Sequence, residues 1–322
     1  DADSTARPNA PPSARRGEHG IVKTSAMRTR GAAWALLLLV AGCVSLAAAA
    51  DESALFWALS KDGDPAGYLL GTIHSEDPRV LDFPEPFIEQ LNANRFFAME
   101  MVPDLPTLAR LTSYMHYQDG TQLEDVIGPD RFARLNSLLG GYKIPAESLG
   151  QMKVWAVMMT LSVPPPKSGF FMDLSLSLRA AGSGLKVVGL ETLEQQLSFL
   201  EDMPLDQQLQ LLDHALQEYD RVAEVHDEMV DVYLKGDLGV LERMAEEQMQ
   251  TLDPEARDYF IEQGIDARNV RMVETLLPHL AKDTVFVAVG ALHLPGEKGL
   301  VSLLRKNGYR LEPLPSPFSA PE

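Results

Sequence analysis

The sequence predicts an α/β (α+β) fold in which a central mixed β-sheet is flanked and capped by many helices. Apolar, strand-like runs occur near both ends of the chain, at residues 66–74 and 283–293. Another lies alone in the middle, at residues 185–191, and helical patterns fill the intervals. Strands that cluster at the two ends of a chain, with helices between them, are typical of a sheet assembled from distant segments.

The predicted domain begins with a β-hairpin. Residues 53–63 and 66–74 are apolar stretches joined by KDGDPAG, whose Asp, Gly and Pro residues favour a turn. A short helix follows at residues 84–94, where Pro favours its start and Asn its end. RFFAMEMV, residues 95–102, is the third predicted strand, and Glu100 is the one charge that interrupts its apolar residues.

Most of the remaining chain is predicted to be helical. Residues 204–280 are rich in Leu, Glu, Gln and Met, and we expect them to form a helical cap with breaks near 235–239, 252–256 and 262–266. A short strand at residues 309–314 closes the sheet. The other predicted helices lie at residues 104–115, 129–141, 145–163, 171–184, 192–203 and 295–308.

Composition defines the expected domain boundaries. No clean linker interrupts residues 51–315, so we expect a single domain there, followed by a loose tail at residues 316–322. Residues 1–26 are rich in Pro, Ser, Arg and Ala, which predicts a disordered leader. Residues 27–50 contain two arginines, an apolar run and then small residues, which is the pattern of a secretory signal peptide.

The predicted signal peptide indicates export, with two possible routes of processing. Small residues before Asp51 suit ordinary signal peptidase cleavage. VAGC at residues 40–43 resembles a lipobox instead, which would make Cys43 a lipidated first residue. Both routes stay open, and we expect a protein that is periplasmic or lipid-anchored in the cell envelope. The sequence does not predict an oligomeric state.

Charge and cysteine content exclude several classes of function. Residues 51–322 hold 22 basic and 43 acidic residues, and such an acidic surface repels nucleic acid and anionic lipid. We therefore expect no nucleic-acid partner, and contact with a membrane only through a lipid on Cys43. Because Cys43 is the only cysteine, the domain has no disulfide, thiol nucleophile or cysteine metal ligand. A metal site would have to use His, Asp and Glu.

Two histidines occur in matching local contexts. YLLGTIH and VAVGALH each place a glycine at the end of an apolar strand and a histidine three residues later, which pairs Gly71 with His74 and Gly290 with His293. A glycine there allows another backbone or a ligand to approach closely. Open α/β sheets place their ligand crevices at the carboxyl ends of strands, which makes both histidines candidate site residues. Structural histidines bonded to neighbouring backbone are the alternative.

Glu100 is the third candidate. A buried carboxylate is costly unless it is paired, protonated, metal-bound or at the end of its strand. Solvent exposure or an ion pair with an arginine is the alternative reading of Glu100. Two imidazoles and a carboxylate are a common ligand set for a divalent metal ion such as Zn²⁺, Mn²⁺ or Co²⁺, and they leave positions open for water. The pattern therefore suggests a catalytic metal at His74, His293 and Glu100.

The histidines of the helical stretches lack a partner at metal-ligand spacing. His214 and His226 are twelve residues apart, and on one straight helix they would be separated by roughly 18 Å, too far for one ion. We expect these two, with His116 and His279, to be solvated or partly packed. Asp173, in FMDLSLSLRAAG, is a weaker site candidate.

The paired motifs resemble the TraB/GumN family, which is related to the Tiki proteases. The likeness includes GTIH, GALH, AMEM, VVGLETLEQQ and ARNVRM, and it covers roughly residues 52–315. It implies a fold akin to the erythromycin-esterase and ChaN-like group, with a central sheet flanked by helices. In the Tiki branch it implies a metal-dependent peptidase that uses the two G-x-x-H histidines and a glutamate, which by position are His74, His293 and Glu100.

Two further family motifs contain Glu191, in GLET, and Arg268–Asn269, in ARNVRM. Glu191 is either a fourth ligand or general base, or a carboxylate that suits the dipole of the helix directly after it. Arg268 either binds a substrate carboxylate or an oxyanion, or forms an ion pair with one of the many acids. The candidate catalytic residues are therefore Glu100, Glu191, Arg268 and Asn269.

The leading hypothesis for function is an exported, metal-dependent hydrolase that cleaves a peptide or protein. The ChaN resemblance allows an alternative, a non-catalytic haem- or metal-binding envelope protein. A third hypothesis is an interaction protein that acts through the acidic helical residues 204–280. The three differ in whether substitution of His74 and His293 abolishes catalysis, abolishes ligand binding alone, or has no effect.

Overall fold

The computed structural model describes residues 53–318, which contain a six-stranded sheet surrounded by helices. The strands are β1 (Phe56–Lys61), β2 (Asp64–Thr72), β3 (Phe96–Met99), β4 (Lys186–Gly189), β5 (Val285–Gly290) and β6 (Arg310–Leu314). Their order in the sheet is β4-β3-β5-β2-β1-β6. Strands β4, β3, β5 and β2 are parallel to one another, whereas β1 is antiparallel to both of its neighbours. The predicted mixed sheet of the α/β class is thus confirmed.

The hairpin is closed by the turn that its sequence predicts. Lys61 pairs with Asp64, so only Asp62 and Gly63 connect β1 to β2. Both connecting residues have positive φ, 54° and 91°, which is what a two-residue hairpin turn needs to match the twist of its strands. The Asp-Gly pair is well suited to this conformation, because glycine carries no steric penalty there and Asp tolerates it better than most residues.

Fifteen α-helices are present among residues 53–318. They are α1 (Pro78–Leu81), α2 (Glu85–Asn92), α3 (Leu105–Tyr114), α4 (Leu123–Ile127), α5 (Pro129–Leu138), α6 (Ala146–Gln151), α7 (Val154–Leu161), α8 (Met172–Gly182), α9 (Leu193–Glu201), α10 (Leu205–Glu218), α11 (Val222–Leu234), α12 (Leu238–Met249), α13 (Pro254–Tyr259), α14 (Ala267–Leu280) and α15 (Leu300–Lys306). None of these helices is both long and apolar enough to cross a membrane. The predictions made for residues 1–26, residues 27–50 and Cys43 lie outside the described part of the chain.

The single helix predicted at residues 145–163 is wrong, because the structure divides it into α6 and α7. Met152 between them is extended and forms a β-bridge with His116. Lys153 N–H donates to Met115 O at 2.8 Å, and Tyr117 N–H donates to Gln151 O at the same distance. Pairing with a distant segment therefore replaces helical hydrogen bonds at this point.

The break predicted at residues 262–266 is also wrong, because the backbone continues as a π-helix at Phe260–Asp266 that joins α13 to α14. The prediction depended on Gly264, which usually weakens a helix. Here a Cβ at Gly264 would lie 3.0 Å from the Phe199 ring, so the glycine makes room for an aromatic side chain. Packing against α9 thus explains a residue that looks like a helix breaker.

The sheet is covered by aromatic packing on the side of α2. Phe87 contacts Phe56 and Phe286, with ring centroids 5.7 and 5.5 Å apart. Phe318, in the segment predicted to be a loose tail, also contacts this cluster, since its ring lies 6.1 Å from that of Phe83 and 5.7 Å from that of Tyr233. The end of the described chain is therefore held against α11 and the loop before α2.

The glycines of the two G-x-x-H motifs lie against the 3-10 turn that carries His293. A Cβ at Gly71 would lie 2.9 Å from Ala291 Cα, and one at Gly290 would lie 3.3 Å from Glu100 Oε1. The expected close approach of another backbone is thus observed at Gly71, whereas the atoms nearest to Gly290 belong to the side chains of Glu100 and His293. The approach at Gly71 brings the end of β2 against the turn Ala291–His293 that follows β5.

Gly71→Ala is expected to lower the free energy of unfolding by about 1–3 kcal/mol, because the new methyl group must displace the 3-10 turn. Urea denaturation of both proteins measures the difference. Gly182→Ala is the matched control, since nothing lies within 4 Å of a Cβ at this last residue of α8. The control is expected to be neutral or stabilising by up to about 1 kcal/mol. Equal effects of the two substitutions would contradict the packing described for Gly71.

Candidate functional site

The four parallel strands end at one edge of the sheet, which we call the carboxyl edge. Glu100 directly follows β3, and Glu191 follows β4 after one intervening residue. His293 lies three residues after the end of β5, and His74 two residues after the end of β2. Strand pairing aligns Met99 with Gly189 and with Ala288, so these chain segments leave the sheet side by side. The edge is where a sheet of this type places its ligand crevice.

Glu100 is largely buried and fully engaged in hydrogen bonds. Its side chain is 18% exposed. Oε1 accepts the Gly290 N–H at 2.8 Å, and Oε2 accepts from Gln196 Nε2 at 2.9 Å and from Arg268 Nη2 at 2.6 Å. Of the readings considered for Glu100, the ion pair with an arginine and the position at the end of the strand are therefore both observed.

Arg268 lies between two carboxylates. Its Nε and Nη2 donate to Glu191 Oε2 at 2.9 and 2.6 Å, and the same Nη2 reaches Glu100. Burial lowers the pKa of the Arg268 guanidinium, but Glu100 and Glu191 outweigh this effect and raise it. This contact favours the ion-pair reading of Arg268 over a role in binding substrate.

Glu191 is completely buried by this contact, with no exposed side-chain area. Burial raises its pKa, and the charge of Arg268 opposes that rise. Glu191 directly precedes Thr192, the N-cap of α9, yet its carboxylate is bound by Arg268. The arrangement favours a role in holding Arg268 over a role as fourth ligand or general base.

His293 is buried and held in one tautomer. Its Nδ1 lies 2.6 Å from Asn269 Oδ1, and because a carbonyl oxygen only accepts, Nδ1 carries the proton. Nε2 then presents a lone pair, and it lies 3.7 Å from Glu100 Oε1. Burial lowers the pKa of His293 to about 4, against the opposing charge of Glu100, so the imidazole is neutral at pH 7.

The electrostatics of Glu100 follow from the same groups. Burial acts to raise the pKa of Glu100, but His293, Arg268 and the Gly290 N–H outweigh it, so this pKa falls well below its usual value. Since His293 is neutral at pH 7, Arg268 supplies the permanent positive charge. The edge therefore holds an ionised carboxylate beside a neutral imidazole, which is the form in which both groups bind metals.

His74 lies at the same edge but in different surroundings. Its side chain is 46% exposed and stacks on Phe171, with ring centroids 3.9 Å apart and an interplanar angle of 13°. Its Nδ1 lies 3.7 Å from Asp173 Oδ2. On the backbone side, His226 Nε2 lies 3.4 Å from His74 O. The loop after β2 thus contacts α8 and α11.

The segment that carries Phe171 is bound tightly to this loop. The Glu76 carboxylate accepts backbone N–H groups of Lys167, Ser168 and Gly169 at 2.9, 2.8 and 2.7 Å. Met172 N–H donates to Ser75 O at 3.1 Å. Burial acts to raise the pKa of Glu76, but these N–H groups lower it below its ordinary value. The position of His74 therefore depends on residues 167–173.

The predicted site residues form one connected cluster with one exception. The contacts given above link five residues, which we call the edge cluster: Glu100, Glu191, Arg268, Asn269 and His293. In the described part of the chain, His74 forms no hydrogen bond or ion pair with this cluster; its partners are Asp173, Phe171 and His226. Within residues 53–318, no three His, Cys, Asp or Glu side chains are grouped so as to hold a metal ion. The predicted set of His74, His293 and Glu100 is thus not assembled as a closed ligand group.

The pair formed by His293 and Glu100 nevertheless fits one ion. Two donors that are each about 2.1 Å from a tetrahedral ion lie roughly 3.4 Å apart. The observed separation of Nε2 and Oε1, 3.7 Å, is close to this value. The donor chemistry and spacing therefore fit a divalent cation at this pair, with further ligands needed to complete its coordination.

Sequence reasoning gave no site role to Gln196 or His226 and only a weak one to Asp173. Gln196 donates to Glu100, and its signal was its place in GLETLEQQ, five residues after Glu191. His226 was expected to be solvated or partly packed, yet it reaches the His74 backbone from α11. Asp173 was a weak candidate and lies beside His74. The contacts of His226 and Asp173 join distant segments, which single-sequence patterns do not show.

Comparison with known proteins identifies relatives along most of the chain. A model of the TraB/PrgY/gumN family matches residues 55–313. Metalloprotease TIKI1 of Danio rerio is 25% identical over 328 residues, which cover 85% of this chain and 66% of that protein. Metalloprotease TIKI1 of Homo sapiens is 23% identical over 353 residues, which cover 92% of this chain and 68% of that protein. No solved structure gives a significant match.

A third relative has a similar identity and coverage. The Metalloprotease TIKI homolog of Nematostella vectensis is 24% identical over 308 residues, which cover 77% of this chain and 64% of that protein. The chain thus spans about two thirds of the length of the curated relatives it matches.

Arg268→Met is expected to lower the free energy of unfolding by about 3–5 kcal/mol, because it leaves two buried carboxylates without their cation. Urea denaturation measures the loss. Arg257→Met is the matched control, since the Arg257–Asp258 pair is 35% and 64% exposed and such a pair contributes at most about 1 kcal/mol. Adding Glu191→Leu to Arg268→Met should restore part of the loss. A cost no larger than that of the control would contradict the ion-pair role.

Proposed function

Because the chain belongs to the TraB/PrgY/gumN family, we propose that it is a metal-dependent hydrolase that cleaves peptide bonds in a peptide or protein substrate. The curated relatives named above are called metalloproteases, which supports this class of reaction. The observation that carries the proposal is the pairing of a neutral His293 Nε2 with an ionised Glu100 Oε1 at the carboxyl edge.

In this proposal His293 and Glu100 would hold the metal ion. His74, which lies at the same edge but is not bonded to this pair, would complete the coordination. When bound, a divalent ion polarises the scissile carbonyl and lowers the pKa of a water molecule. Glu100 Oε1 is the oxygen that faces His293, whereas Oε2 is bound by Arg268 and Gln196. Oε1 therefore faces the proposed position of the ion while it also accepts the Gly290 N–H, and Oε2 is bound by the protein alone.

The other residues of the edge cluster orient these groups. Asn269 keeps the proton of His293 on Nδ1, so that Nε2 keeps its lone pair. Arg268 and the Gly290 N–H hold Glu100 ionised and fix the direction of its carboxylate. Glu191 holds Arg268 in place by accepting hydrogen bonds from the Nε and Nη2 atoms of the guanidinium group. Loss of a partner that orients a metal ligand typically weakens metal affinity about 10–100-fold.

The proposal predicts that the purified protein binds a divalent ion and cleaves an internally quenched peptide library. Chelation should abolish cleavage, and Zn²⁺, Mn²⁺ or Co²⁺ should restore it. Cleavage should slow by more than about 100-fold in each of Glu100→Gln, His293→Ala and His74→Ala. This loss exceeds the roughly 10–100-fold effect of removing a residue that only orients a metal ligand. Metal content is measured by elemental analysis and cleavage by fluorescence.

His279→Ala is the matched control. This histidine lies in the last turn of α14 beside Phe96, the first residue of β3, and so lies at the opposite edge of the sheet. Its substitution should leave both metal content and cleavage unchanged. Unchanged metal content in Glu100→Gln and His293→Ala, or full activity after chelation, would refute the proposed function.

A further inference from the structure

We propose that Asp173 is the positioning residue for His74. Its carboxylate keeps the proton of the imidazole on Nδ1, so that the lone pair of Nε2 is available to a metal ion. This inference rests on the proposed function, since it assigns how the third metal-binding residue is oriented. Asp173 itself does not contact the metal ion. The placement of Asp173, the ring contact of Phe171 and the comparison with His293 carry the inference.

Asp173 is fixed between the end of β2 and His74. Its Oδ1 accepts a hydrogen bond from Thr72 Oγ1 at 2.6 Å, and Thr72 is the last residue of β2. This bond leaves Oδ2 facing His74 Nδ1 at 3.7 Å. Because Thr72 precedes His74 by only two residues, the same strand end fixes the carboxylate and carries the imidazole.

Phe171 fixes the plane of the imidazole. The near-parallel stack against the Phe171 ring covers one face of the imidazole and sets the plane in which its two nitrogens can bind partners. Phe171 is the N-cap residue of α8, and Asp173 lies in the first turn of that helix. The Met172 N–H, between them, donates to Ser75 O at 3.1 Å. One short segment therefore supplies both the stacking ring and the carboxylate, and it is bonded to the His74 loop.

His74 and His293 then share one arrangement. Each has a helix side-chain oxygen beside Nδ1, from Asn269 on α14 for His293 and from Asp173 on α8 for His74. Metal-binding histidines usually donate their second ring N–H to such an oxygen, which fixes tautomer and ring direction. At 3.7 Å the Asp173 contact is longer than a hydrogen bond, but a carboxylate this close to Nδ1 still favours the tautomer that turns an N–H toward it.

The first test is the tautomer of His74 in the metal-free protein. Long-range ¹H–¹⁵N correlation spectra, recorded about two pH units above the usual histidine pKa of roughly 6.5, distinguish Nδ1–H from Nε2–H. Spectra of His74→Gln identify the His74 signals. The proposal expects Nδ1–H for His74 in the unmodified protein and a shift toward Nε2–H in Asp173→Ala, with His279 signals unchanged. Nε2–H in the unmodified protein would overturn the proposal, even where Asp173→Ala fails to fold.

The second test is affinity for Co²⁺, followed by its absorbance. Asp173→Ala is expected to weaken Co²⁺ binding about 10–100-fold, with the conservative Asp173→Asn closer to the unmodified protein. Asp231→Asn, an exposed carboxylate paired with Arg79, is the charge control and should bind normally. Unchanged affinity in Asp173→Ala would overturn the proposal. A loss as complete as that of His74→Ala would also overturn it, because Asp173 would then be a ligand itself.

The two tests separate failure of this inference from failure of the proposed function. If the unmodified protein binds no divalent ion, the proposed function fails, whereas the tautomer of His74 still decides the role of Asp173. If the protein binds Co²⁺ but the tautomer and affinity do not respond to Asp173, the inference alone fails.

Discussion

The buried bridge from Glu191 through Arg268 to Glu100 is the interaction on which the carboxyl edge depends. Each of these charges would cost several kcal/mol to bury alone, so each requires the others. The bridge joins the segments after β3 and β4 to α14. It also fixes the rotation of the Glu100 carboxylate, because Oε2 is bound by Arg268 while Oε1 accepts the Gly290 N–H and faces His293. The position of the candidate metal pair is therefore a consequence of the ion pair.

Helix α14 connects the two halves of this arrangement. Arg268 and Asn269 are consecutive, so their side chains leave the helix about 100° apart. One reaches the carboxylates at β3 and β4, and the other reaches His293 after β5. The π-helix before α14 belongs to the same arrangement, since Arg268 Nη1 donates to Gly264 O at 3.4 Å. The helical segment thus contributes directly to the carboxyl edge as well as covering the sheet.

Local patterns predicted the strands, the turn of the hairpin and three residues at the carboxyl edge, His74, Glu100 and His293. Glu191, Arg268 and Asn269 became candidates only through the family resemblance. Apolar runs and G-x-x-H spacing are short-range signals, and parallel strands have their carboxyl ends at the same edge of the sheet. The break at Met152 and the continuous helix through Gly264 could not be predicted, because pairing with His116 and packing against Phe199 are long-range. For the same reason, the sequence left open whether Arg268 was an ion-pair partner and did not place Asp173 beside His74.

In the proposed function, the Glu100–His293 pair is a metal-binding position held by the ion pair behind it. Anomalous diffraction from crystals loaded with Co²⁺ or Zn²⁺, collected at the absorption edge of the metal, tests it most directly. A peak is expected about 2.0–2.2 Å from both His293 Nε2 and Glu100 Oε1. A loaded crystal whose metal peaks all lie away from this pair would contradict it.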